Sequence, residues 1–184
     1  MPSSNLTSNF SSATQTSDGN ASWSNTGNAL VDDGAVASVF IDTPTFTISN
    51  YLKVTDRIQK IPSGATVDGI VVNIQLTQLA SYMSVYVLKG ATLSSLVNEQ
   101  TTLNNTFGGP TDKWGLSWTA ADVNASDFGV QVSFDTAGSD LNVYVDYIDT
   151  TIYYTYTETG DGTGRTAQGR RALFTSKAEL RVIS

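Results

Sequence analysis

Histidine and cysteine are both absent from the 184 residues, and these two absences remove most familiar site chemistry at once. Disulfides, zinc held by Cys or His, haem ligated by either, thiol nucleophiles and any Ser-His-Asp triad are excluded. Proline is scarce, at four residues, and charged residues make up only 15%. No apolar run approaches the roughly 18 residues that a membrane span needs, so no membrane role is expected. The N-terminus, Met1-Pro2-Ser3-Ser4-Asn5, has no basic and no apolar leader region, which reads as a protein made in a cytoplasm. Ten basic residues face 17 acidic ones, a formal charge of −7. An acidic body repels phosphate, and no basic patch interleaves with aromatics, so nucleic acid is set aside as a partner.

What the chain has in quantity is Ser, Thr and Asn, at 21, 25 and 12 residues, a mix that suits short strands joined by polar turns. Ile70, Val72, Ile74 and Leu76 alternate with Val71, Asn73, Gln75 and Thr77, the period-2 pattern of a half-buried strand. Residues 35–41, 45–54, 82–88, 128–134 and 141–156 offer further strands, and in the last Val143, Val145 and Tyr147 oppose Tyr144, Asp146 and Ile148. Thr119-Ala120-Ala121-Asp122 has capping-box spacing, which predicts a short helix from Ala120 to about Ser126. About eight strands, one short helix and no ten-residue helical period predict an all-β fold. It is read as a single antiparallel β-sandwich, jelly-roll-like, with a C-terminal arm. Ile70, Val72, Ile74, Val130, Val132, Val143, Val145 and Ile152 are expected in its core.

The two ends differ from this body. Residues 1–22 are nearly all small and polar and read as an N-terminal arm or edge strand, ahead of a sandwich core over 23–156. After Tyr156, Gly160-Asp161-Gly162-Thr163-Gly164 reads as a hinge, so 157–184 form a separate arm. Residues 1–156 carry five basic against fourteen acidic residues, or −9, whereas 157–184 carry five against three, or +2. Arg165, Arg170, Arg171, Phe174, Lys177 and Arg181 are therefore the candidate interaction residues, able to lie against an acidic surface while apolar side chains add a strand to an exposed sheet edge.

Candidate chemistry is thin. The carboxylate pairs Asp32/Asp33, Asp122/Asp127, Asp135/Asp140 and Asp146/Asp149 sit where turns and caps favour Asp in any case, so catalysis is not expected. No cofactor is required, although a loop-bound Ca²⁺ on Asp32, Asp33 and Asp146 stays open; Asp161 with Glu158 supplies too few oxygens. Trp23, Trp114 and Trp118 offer either an aromatic platform for sugars or core plugs. The core is preferred, because Trp114, Leu116 and Trp118 share one face if extended.

The succession Trp23-Ser24-Asn25-Thr26-Gly27-Asn28-Ala29 with Asp32-Asp33-Gly34, then Ile61 to Ile70, Trp114-Gly115, Thr119 to Val130, Tyr144 to Ile148 and Ile152-Tyr153-Tyr154 resembles a jelly-roll-like β-sandwich module of tailed-bacteriophage virion structural proteins over about residues 9–156. The resemblance implies a non-enzymatic virion part assembled in the host cytoplasm: a capsid decoration or cement protein, a head fibre or a tail-associated protein. The major capsid protein or another virion protein would be its partner, and a homo-oligomer, first of all a trimer, is expected. The alternative is a tail- or fibre-associated carbohydrate-binding receptor module.

Overall fold

A computed structural model describes residues 3–157 apart from 19, 44, 79, 81 and 137. The alternating segment becomes β5 (Thr66–Leu76), with Ile70, Val72, Ile74 and Leu76 buried and Val71, Asn73 and Gln75 half-exposed. Such spacing gives a ribbon one apolar face, which must be buried against another layer. Beside it in the first sheet stand β1 (Ser3–Ser8), β3 (Ala37–Ile41), β9 (Asn104–Gly108) and β11 (Leu141–Thr155), in the order β1-β11-β5-β9 with β3 also on β11. The second sheet holds β2 (Phe10–Gln15), β4 (Leu52–Arg57), β6 (Tyr82–Lys89), β7 (Thr92–Leu93), β8 (Val97–Gln100) and β10 (Gly129–Asp135). Its order is β2-β4-β10-β6-β7, with β8 also on β6. The strand pairs are antiparallel, and the two sheets form a jelly-roll-like β-sandwich.

All eight expected core residues are at most 1% exposed. Trp23, Trp114 and Trp118 are core plugs as well, at 5%, 3% and 7% exposure. Each indole N–H finds a carbonyl: Asn50 at 2.7 Å, Ile70 at 2.9 Å and Lys113 at 2.9 Å respectively, as buried tryptophans require. The 114–118 stretch is not extended, however. Trp114 has a φ of 53°, and the Leu116 N–H bonds back to Lys113 in a turn. The helix α1 (Ala120–Asn124) starts at the predicted capping box, with Thr119 and Asp122 exchanging hydrogen bonds, but it stops before the expected Ser126 because the C-cap Ala125 is already extended.

The N-terminal segment, read as an arm or edge strand, forms two edge strands. β1 pairs with β11 and β2 with β4, so residues 3–15 supply an edge to each sheet. An edge strand needs few apolar side chains when its main chain is paired: Leu6, Phe10 and Ala13 meet the core while Ser3, Ser4, Thr7, Ser11, Ser12 and Thr14 are exposed. β7, β8 and β9 likewise lie outside the strand segments named from the sequence, and eleven strands stand among the described residues where the pattern predicted about eight.

The alternation slips in two strands. In β4, Leu52 and Val54 face inward, then Asp56 adopts a left-handed φ of 59° and Arg57 follows them into the interior, 0% exposed. In β11 the register on β5 moves from Val145↔Leu76 to Tyr147↔Gln75, so Asp146 is the extra residue of a β-bulge. The expectation that Tyr147 shares a face with Val143 and Val145 is thereby corrected. Ile148 takes the inward position and Tyr147 turns outward, half-exposed.

Candidate functional site

Outward side chains on neighbouring strands repeat every two residues and so form a grid. Register sets Tyr147 beside Gln75 and Asp149 beside Asn73, and across β5 it sets Gln75 beside Asn104 and Asn73 beside Thr106. Two polar rows result, Tyr147-Gln75-Asn104 and Asp149-Asn73-Thr106, running across β11, β5 and β9. They line a surface cleft of about 270 Å³ together with Asp32 from the loop before β3. The second row is a hydrogen-bond chain: Thr106 Oγ1 donates to Asn73 Oδ1 at 3.0 Å, and Asn73 Nδ2 donates to Asp149 Oδ1 at 2.7 Å. This fixes which way the Asn73 amide points. At the margin, buried Asn105 holds its turn by donating to the Thr102 carbonyl at 2.7 Å and accepting from the Thr102 N–H at 2.8 Å.

The bulge builds the other margin. Leu30 makes a β-bridge to Tyr147, and buried Asp146 accepts from the Gly34 N–H at 3.1 Å. One extra residue therefore both aims Tyr147 outward and ties down the loop that carries Asp32. Burial raises the pKa of the Asp149 carboxyl, against the opposing pull of the Asn73 hydrogen bond and the Arg57 charge. The Tyr147 phenol is raised too, by burial and then by the charges of Asp149 and Asp32. Arg57 itself lies behind the sheet. Desolvation lowers it to about 10, with Asp149 and Tyr154 opposing. Its N–H groups donate to Thr150 Oγ1 at 3.1 Å, to the Gln59 carbonyl at 2.7 Å and to the Leu6 carbonyl.

The sequence-level candidates fare differently. Arg165, Arg170, Arg171, Phe174, Lys177 and Arg181 lie outside the described residues, as does the Asp161 loop. The carboxylate pairs take separate duties: Asp33 accepts from the Ala35 N–H at 2.9 Å, Asp140 from the Thr43 N–H at 2.9 Å, and Asp122 caps α1 with Lys89 2.9 Å away. Asp146 is buried, whereas Asp149 is half-buried and lines the cleft. The calcium set Asp32, Asp33 and Asp146 is not assembled: Asp146 accepts from the Gly34 N–H and Asp33 from the Ala35 N–H, and among the described residues no group of three acidic side chains is placed to hold a metal. Sequence reasoning missed Asn73, Gln75, Asn104, Thr106 and Tyr147. The polar alternation of Asn73 and Gln75 was a visible signal, but their row partners lie 29 positions away or more and emerge only from register.

Fold and cleft together describe an all-β sandwich with a polar cleft across one sheet. No protein-family model and no curated protein matches the sequence. Solved structures that align with it include a cyclase from Fischerella sp. TAU in complex with 4-(1H-indol-3-yl)butan-2-one, at 14% identity over 66% of this chain and TM-score 0.38. The chain spans 65% of that cyclase's length. TmCBM61 in complex with beta-1,4-galactotriose aligns at 10% identity over 81% of this chain and 92% of its own, TM-score 0.36. CBM4 aligns at 12% over 68% and 84%, TM-score 0.29. All three superpositions are loose.

Proposed function

We propose that this sandwich is a carbohydrate-binding module whose ligand lies across the two polar rows. The grid of six side chains carries the reading. Sugar hydroxyls both donate and accept, and amides beside a carboxylate and a phenol meet them with matching groups. The Asn73 amide is already oriented by Thr106 and Asp149, so little ordering is left for the moment of binding. At about 270 Å³ the cleft falls just under the lower bound of about 300 Å³ for drug-sized ligands, which leaves room for about one or two sugar rings. The role is binding rather than turnover. Affinity electrophoresis in gels containing soluble polysaccharides tests it: the protein is retarded by a recognised glycan, and Asn73→Ala removes the retardation without lowering the melting temperature by more than a few degrees. Failure to bind any member of a broad glycan array overturns the proposal, and release of reducing sugar would convert it to a glycosidase.

The residue succession over 9–156 favours a second reading, a non-enzymatic decoration or cement protein of a tailed-phage virion, docked on the major capsid protein through its terminal arms and trimeric. A module with a sugar cleft would serve adhesion on such a particle, so the two readings are compatible. A mass-spectrometric copy count on purified virions tests the second: hundreds of copies on the head support decoration, a few at the tail tip support adhesion, and none removes the virion reading. Deleting residues 160–184 should leave the sandwich folded and abolish rebinding to depleted particles; undiminished binding moves the docking surface onto the sandwich.

A further inference from the structure

The cleft is electrically one-sided. Among the described residues its lining includes two acids, Asp32 and Asp149, and neither Lys nor Arg. The cation whose field reaches Asp149 is Arg57, and its N–H groups are committed to Thr150, Gln59 and Leu6 behind the sheet. Residues 1–156 around the cleft carry fourteen acidic against five basic groups, so the surrounding field has the same sign as the site. Within the second row, Asn73 gives one amide hydrogen to Asp149 and accepts from Thr106. Much of the spare hydrogen-bonding capacity there lies on carboxylate lone pairs.

From this lining we infer that the cleft selects its glycan by charge: it takes neutral sugars, takes sugars bearing a free ammonium more tightly, and rejects uronates, sialic acids and sulfated sugars. The inference rests on the carbohydrate reading and adds the ligand class. An ammonium brings donors to acceptor-rich carboxylates and gains Coulomb energy in a partly desolvated place. A carboxylate or sulfate meets two fixed charges of its own sign, and such juxtaposition is the usual device by which a binding surface refuses a wrong partner.

Titration calorimetry at pH 6 with size-matched neutral, glucosamine and galacturonate oligosaccharides tests it. At low ionic strength the amino oligomer should bind on the order of tenfold more tightly than its neutral counterpart, a margin that narrows as salt is added, and the galacturonate should not bind. Asp32→Asn, in an exposed loop where the substitution leaves the fold intact, should cut that margin to about threefold, and Asp32→Asn with Asp149→Asn should erase it. Equal binding of all three classes, or preference for the uronate, overturns charge selection and leaves the carbohydrate reading standing. Absence of binding to every class overturns the carbohydrate reading itself, and the selection with it.

Discussion

Two strands of this sandwich lose their alternation by one residue, and they use the slip in opposite directions. In β4 the left-handed Asp56 sends a charged side chain inward, and Arg57 ties the second sheet to β1 and β11 through Leu6 and Thr150. In β11 the Asp146 bulge sends an aromatic side chain outward, where Tyr147 opens one polar row of the cleft. The inward slip adds an interlayer clamp and the outward slip adds a wall of the polar cleft. Both depart from period 2, and both departures occur where a side chain of unusual character has a specific task.

Breaking the layer that both slips depend on has the largest expected effect. Val145 is fully buried immediately before the bulge, and Val145→Asp should cost about 3–5 kcal/mol by placing an unpaired charge in an apolar layer. A soluble variant with a normal urea midpoint would refute the assignment of that face. Next comes the clamp. Arg57→Ala leaves two carbonyls and a buried hydroxyl without their donor, and equilibrium denaturation should record a loss of about 3 kcal/mol. Arg57→Met, which keeps the volume, should lose less; equal losses would mean that the hydrogen bonds contribute little. Asp146→Ala frees the Gly34 N–H and should cost about 1–2 kcal/mol. It should also weaken glycan binding, because the loop carrying Asp32 loses its tether, and unchanged affinity would separate the bulge from the site.

The smallest effect sharpens the comparison through pH. The folded-state pKa of Asp149 is raised above 3.8 by burial, so the native state is penalised when this carboxylate is ionised. The penalty is present above the folded pKa and fades as pH falls through it toward 3.8. Asp149→Asn, which retains an acceptor for Asn73, should therefore melt slightly above the parent protein at pH 7, with the gap closing toward pH 4. A gap that widens on acidification would reverse the sign and remove desolvation as the dominant cause.

Local chemistry sufficed for much of this. The β class, the core face of Ile70, Val72, Ile74, Val130, Val132, Val143, Val145 and Ile152, and the Thr119 capping box were readable because period-2 burial and cap hydrogen bonds are decided within a few residues. The absence of histidine and cysteine set the bounds on chemistry by itself. Tertiary structure alone decided the rest. Residues 3–15 carry too little apolar surface to decide between an arm and an edge strand, and they pair because the sheet edges of β11 and β4 offer them main-chain partners. Tyr147 reaches the cleft only because a bulge, invisible in an alternating sequence, shifts its phase, and Asn73 meets Thr106 and Asp149 only because antiparallel register brings three distant segments side by side. A site made of cross-strand rows is a property of pairing, and pairing is fixed by the whole sandwich rather than by any one segment.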